Sequence, residues 1–531
     1  MNQPFVTLRT TRWLIVIFGG TLVLLAVVAG AGSRTAILRE LVIDTLGERL
    51  DSEVQLESFS VDTFPTVHVM GTGLIIRHKG RRDVPPLVSV QSFTLDGGLF
   101  GLLSRPRRFR TVALSGLQIN IPPGFKKDKG HTQSPQPQPD ANPAPAHDDG
   151  GSPGAIVVDR LVADEATLSL IPRRADKHPR VFAVHRLTME PLGRAEVMSF
   201  EATLINPIPR GLVHAKGTFG PWQREDPGES ALAGQYTFEQ ADLGTVKGIG
   251  GHLSSTGKFG GQLARIAVSG QTHTPDFRVT LTGNPVPLET TFDAVVDGTD
   301  GDTYLNAVAA SFLNTSLTAQ GAIVGAQGVK GRTVKVHVKI ADGRIEDVLR
   351  LAVKSRTPAI TGKLDLHTDL TLPAGPGEVM DRLQLAGEFD VGGAQFTNRE
   401  IQQKVSDMSE RARGLDPDEH AQNVSSTLRG RFAVDKSVLT LRDVVFAMPG
   451  ALVQVAGSYG LASEALMFDG TVRMKATVSQ AAGGGVKSAL LKMIDPLFKR
   501  NGAGAVLPIR IRGSRDEPKV GLDFGRALSR K

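Results

Sequence analysis

The sequence predicts a mainly β fold: a long antiparallel sheet curled along its length, with one N-terminal transmembrane helix and a few short amphipathic helices. Three observations carry that expectation. Apolar and polar residues alternate over long runs, as in "ITGKLDLHTDLTLP" from Ile360 to Pro373 and "RTVKVHVKI" from Arg332 to Ile340. A period of two marks strands with one apolar and one wet face. Glycine is plentiful, 59 of 531 residues, as a chain with many tight turns requires. Finally, no helical pattern of ten or more residues interrupts the chain from Ile156 until Thr397, whereas a parallel sheet needs long, usually helical crossovers.

The elements follow in order. Residues 1–12 form a short N-terminus expected in the cytoplasm, because Arg9 and Arg12 precede an apolar stretch, although Arg34 and Arg39 beyond it weaken that vote. The stretch from Trp13 to Ala31 has no charge, and at 1.5 Å per residue it nearly crosses a hydrocarbon core of roughly 30 Å. Trp13, Leu14, Ile15, Leu22, Leu24, Leu25 and Val28 are its anchoring side chains. A cleavable signal peptide competes, with Ala29-x-Ala31 as the cleavage pattern; the length favours an anchor, and either reading exports the remaining ~500 residues.

Residues 33–123 read as an amphipathic helix followed by strands. Ile37, Leu38, Leu41, Val42, Leu46 and Leu50 make the apolar stripe of the helix. Residues 124–154, rich in Pro, Gln, Asp and Gly, have almost nothing to bury and read as a disordered linker. Strand follows strand over 155–396. Residues 397–531 add two helices, near 397–413 and 484–499, and further strands including "LPIRIRG" and "PKVGLDF". The second helix carries Val486, Leu490, Met493, Ile494, Leu497 and Phe498, and Pro496 bends or ends it.

Recognisable catalytic chemistry is absent from the sequence. Cysteine is missing, which removes disulfides, thiol nucleophiles and Cys-type zinc sites. The net charge of +7 is mild for this length and contains no long like-charge block, so no nucleic-acid footprint is read. Arg105, Arg107, Arg108 and Arg110 in "SRPRRFR" are either a solvated turn or contacts to anionic lipid head groups. Asp365, His367 and Asp369 share a strand face, but alternation already explains them as its wet side. Asp297, Asp300 and Asp302 in "VDGTDGDTYL" fit a turn better than a calcium loop. With no nucleophile elbow, zincin motif or phosphate-binding loop, no enzyme, metal or cofactor is expected.

An antiparallel sheet with one apolar face closes as a sandwich, a barrel or a curl. Three Tyr and two Trp are too few for the aromatic girdles of an outer-membrane barrel, and separate linkers for stacked sandwiches are not found. A curl leaves its inside as either a packed core or an apolar trough. The trough candidates are Val334, Val336, Val338 and Ile340 with Leu364, Leu366, Leu370 and Leu372.

The anchor followed by "LRELVIDTLGERLDSEVQLESFSVDTFPTVHVMGTGLII", then "RPRRFRTVALSGLQINI", resembles the AsmA family of envelope proteins, related to TamB and to bridge-like lipid transfer proteins. Near the other end "LQLAGEFDVGGAQFTNREIQQKVSDMSERARG" and "LKMIDPLFKRNGAGAVLPIRIRGSRDEPKVGLDF" carry the likeness. The resemblance implies a single-pass protein of the bacterial inner membrane whose periplasmic part is a sheet folded like a taco. Its groove would hold phospholipid acyl chains and support lipid transport to, or homeostasis of, the outer membrane. An outer-membrane partner protein is open, and so is a non-catalytic assembly scaffold with a packed β core. The Pro-rich segment 124–154 departs from the family pattern. Roughly 25 to 30 strands at ~4.8 Å would extend at most ~140 Å.

Overall fold

The computed structural model describes residue 43, 52–62, 67–78, 82, 84–97, 107–121, 156–171, 179–190, 197–221, 223, 227–281, 283–325, 329, 331–415, 424–477, 504–514 and 517–522. These residues are mainly β, with 26 strands and few helices. The expected anchor at 13–31, the segment 124–154 and the helix at 484–499 lie outside them. Among the described residues no helix is long and apolar enough to cross a membrane. Of the amphipathic helix expected after the anchor, Ile43 alone is described; it is helical and packs against the core of the first unit.

The chain divides into two compact units. The first comprises Met1–Ala241, Ser255–Ser269 and Val295–Gly301; the second comprises Asp242–Ser254, Gly270–Ala294 and Asp302–Lys531.

In the first unit, β1 (Ser52–Gln55) and β2 (Ser58–Asp62) pair successively with β3 (Val67–His78) in one continuous register, so they act as one strand interrupted at Leu56 and Glu57. β4 (Val88–Gly97) follows β3 antiparallel. β5 (Arg107–Ser115) and β6 (Gln118–Ile121) likewise act as one interrupted strand, in continuous register between β4 and β7 (Ile156–Leu170). They run parallel to β7, Arg107 opposite Ile156 and Ile121 opposite Leu170. This corrects the antiparallel expectation: the chain between Ile121 and Ile156 exceeds the dozen residues that a parallel return requires, and no helical pattern in sequence is needed for it. β8 (Arg180–Glu190), β9 (Met198–Pro207) and β10 (Arg210–Phe219) continue as antiparallel neighbours. The inward residues of β1 to β10 make one dry core that includes Val69, Leu74, Ile76, Phe93, Leu95 and Val112. β11 (Ala231–Asp242), β12 (Ile249–Gly250), β13 (His252–Gln262), β14 (Arg265–Val279) and β15 (Val286–Val296) follow in the chain.

In the second unit, β16 (Thr303–Phe312), β17 (Thr315–Gly325), β18 (Arg332–Arg344), β19 (Ile360–Leu372), β20 (Gln384–Phe396), β21 (Ser426–Asp435), β22 (Val438–Met448), β23 (Ala451–Gly460), β24 (Ala465–Met474), β25 (Ala505–Ser514) and β26 (Pro518–Leu522) form an unbroken antiparallel ladder. Among the described residues three helices connect its strands: α1 (Ile345–Ala352), α2 (Val379–Arg382) and α3 (Arg399–Arg413). The helix expected near 397–413 is α3. Asn398 caps it by accepting from the amides of Glu400 and Ile401, and Gly414 ends it with a left-handed φ of 79°. α1 was not anticipated. Its eight residues are too few for a helical period to stand out, and its start lacks a capping side chain.

Candidate functional site

The candidate site is the inward face of the second unit's ladder. Register brings the two sequence-predicted runs side by side: Val334 faces Leu372, Val336 faces Leu370, Val338 faces Thr368 and Ile340 faces Leu366. Both runs therefore look out of the same side of the sheet, as cross-strand neighbours in a pleated ladder must.

The rows continue through the other strands. A middle row runs Val338–Thr368–Gly387–Phe432–Leu441–Gly457–Phe468–Ile511. On one side of it lies Val336–Leu370–Leu385–Val434–Leu439–Tyr459–Leu466. On the other side the outermost row is Leu364–Val391–Leu428–Phe446–Val453–Val472–Leu507. No charged residue stands in these three rows. From β18 to β25 seven strand spacings make an apolar surface about 34 Å long.

Sequence reasoning missed most of these neighbours, Leu385, Phe432, Leu441 and Ile511 among them. Each sits in its own alternating run, so the signal was present, but the partners of a strand are a matter of register and not of period. Gly387 and Gly457 carry a different message. A Cβ at Gly387 would collide with the carbonyl oxygen of His367, and one at Gly457 with that of Met467. Backbones approach closely there on the inward side, which a side chain would prevent. Phe432 and Phe468, directly opposite these glycines, lay their rings over the gaps.

Burial separates the candidates. Val334, Val336, Val338, Leu366, Leu370 and Leu372 are half-buried. Ile340 and Leu364 are not: they are 3% and 1% exposed and belong to a dry cluster with Ile360, Val391 and Ala394. Ile345, Val348 and Leu349 of α1 pack on that cluster. Further along, Val405 and Met408 of α3 pack with Phe446, Val453, Val472 and Leu507.

α1 is held by polar groups. The Asp347 carboxylate accepts from the Asn314 amide and the Thr315 hydroxyl, each at 2.9 Å. Glu346 accepts from the Gly362 amide at 3.1 Å. At the other end the Asn284 side-chain amide donates to the carbonyls of Arg350 and Val353, at 3.0 and 2.8 Å.

The outward face is wet and charge-paired. His337 bonds Asp369 across strands, and Lys363 meets Asp342 at 2.7 Å. That hydrogen bond, and the carboxylate's charge, hold the Lys363 ammonium above its usual value. Asp365 accepts from the Asp342 amide at 3.0 Å. Among the described residues no group of three His, Asp or Glu could hold a metal. Asp297 accepts from the amides of Thr299 and Asp300, the geometry of a turn, while Asp302 pairs with Arg332 at 2.6 Å. In the first unit, an open recess of about 680 Å³ is lined by Arg160, Glu190, Glu201, Lys216 and Lys258, and Arg160 is paired to Glu190 within it. Of the arginines read as head-group contacts, Arg110 is exposed on β5, Arg107 and Arg108 begin that strand, and Arg105 lies outside the described residues.

Comparison with known protein families, with curated proteins and with solved structures returns no match.

Proposed function

We propose that this chain is an inner-membrane-anchored periplasmic protein that binds phospholipid acyl chains on the inward face of its second unit and supports lipid transport to, or homeostasis of, the outer membrane. One observation carries the reading: a charge-free surface crosses eight strands, and much of it is left half-buried instead of sealed. Each methylene taken from water onto such a surface gains about 0.8 kcal/mol. A two-chain lipid is thus held without specific contacts, and rows of similar apolar character let it move from strand to strand. The resemblance of both ends of the sequence to the AsmA family supports the same reading and supplies the anchor and the compartment. No catalytic role is proposed.

The alternative is an assembly scaffold with a packed β core. The dry cluster around Ile340 and Leu364 favours it along one side of the face. Photo-crosslinking residues at Val336 and Leu366, with Asp365 as the outward control, separate the two in cells labelled with radioactive phosphate. Labelled lipid captured at the two apolar positions and not at Asp365 is the expected result. Absence of capture from a folded, inserted protein gives the face to the scaffold.

A further inference from the structure

The apolar face is closed along one long side and open along the other. At the closed side stand Leu364 and Val391, 1% and 0% exposed, with α1 packed over them and α3 over the continuation of their row. At the open side stand Val334, Leu372 and Leu385, all half-buried. Leu366 occupies the step between, opposite Ile340 on one neighbour and Phe389 on the other. From Val334 to Ile340 the strand covers about 20 Å at its usual rise.

The closure is fixed in place. α1 is bonded at its first turn through Asp347, which is 5% exposed, and at its last turn through Asn284, which is 8% exposed. Two buried polar anchors make displacement of the helix costly, because each would be left unpaired. The packed row beneath it therefore yields little to an incoming group.

Resting on the acyl-binding reading above, we propose that acyl chains enter this face from its open side with their terminal methyls against the closed row, so that Leu366 and Phe446 set the longest chain the face accepts. Each methylene that finds apolar wall raises affinity about fourfold. Once the chain end meets the closed row, the next methylene finds no room and that gain stops. At the other side Val334, Leu372 and Leu385 are half-buried, so added length there meets a less tightly packed wall.

The test uses the full chain purified from a membrane extract, with bound acyl lengths read by mass spectrometry and with competition by phosphatidylglycerols of defined length. Leu366→Phe, which adds bulk one step above the closed row, is expected to move the bound distribution to shorter chains, with the first excluded methylene weakening binding about fourfold. Phe446→Leu, which removes bulk from that row, is expected to move it to longer ones. Val334→Phe, the same added bulk at the open side, is expected to leave the distribution where it was. If Leu366→Phe and Val334→Phe shift it alike, or if no variant shifts it while lipid stays bound, the proposal is overturned and the chains lie along the ladder. If Leu366→Phe fails to fold by circular dichroism, Phe446→Leu against Val334→Phe decides with the same two outcomes. Absence of lipid from the wild-type chain overturns the acyl-binding reading instead.

Discussion

The inward residues of β3 and β4 in the first unit and those of β18 and β19 in the second come from the same kind of alternating sequence, yet they end in different surroundings. Val69, Leu74, Phe93 and Leu95 are sealed in a dry core; Val336, Val338, Leu366 and Leu370 are half-buried. The difference lies in side-chain volume. The first unit's core strands place Val, Leu, Ile and Phe inward, and at Gly71 the ring of Phe93 fills the space directly opposite. The second unit's middle row repeats that pairing, with Phe432 over Gly387 and Phe468 over Gly457. But two glycines and Thr368 stand in a row where the first unit's core strands place mostly Val, Leu and Ile, so each strand supplies less bulk toward the density of a protein interior. Alternation says which way a face looks. Only the volume on that face says whether it can seal itself.

Truncation tests the comparison most strongly. Phe93→Ala should cost about 3–5 kcal/mol in chemical denaturation, as buried aromatic truncations do. Leu370→Ala, starting from a half-buried side chain, should cost roughly 1 kcal/mol. If Leu370→Ala costs as much as Phe93→Ala, the second face is a packed core and the contrast fails. Next in size is Asp347→Ala. It leaves the Asn314 amide and the Thr315 hydroxyl without their shared acceptor, so about 1–3 kcal/mol should be lost and hydrogen exchange in α1 should quicken. Gly387→Ala puts a methyl against the neighbouring backbone and should cost about 1–3 kcal/mol, measured against Thr368→Ala in the same row, which should be nearly neutral.

How much of this was legible in the sequence follows from the same physics. The strands around Val334–Ile340 and Leu364–Leu372 were readable because period two is a local property. α3 was readable because fifteen residues carry four turns of stripe and a cap; α1 was not, at eight. The parallel return of β7 beside β5 and β6 depends on pairing across a long connection, which leaves no mark on composition. At the candidate site, sequence placed eight apolar residues on one side of their strands, and they stand on one face. It had no means of separating Ile340 and Leu364 from the other six, because what covers them is α1, and the packing of a helix on a strand is not written in the strand.

The outward faces supply the control for the comparison, since cross-strand ion pairs line both units: Arg160 with Glu190 in the first, Lys363 with Asp342 in the second. Such exposed pairs contribute little each, with water screening them, so the contrast between the units has to come from the inward faces. Asp276 offers the finest check. The His252 amide donates to its carboxylate at 2.7 Å and the His252 ring bonds it at 3.0 Å. The backbone bond first, then the ring, hold the carboxyl below its usual value. A depressed carboxylate stabilises the fold fully above its unfolded pKa of about 3.9, and that contribution is lost as pH falls through the lower folded value. Wild-type melting should therefore decline below about pH 4 more steeply than that of Asp276→Asn, and the two curves should converge at the acid end. The gap between Phe93→Ala and Leu370→Ala should be the same at pH 7 and in high salt, where exposed pairs are screened. A gap that closed with salt would move the difference between the units from apolar volume to surface charge.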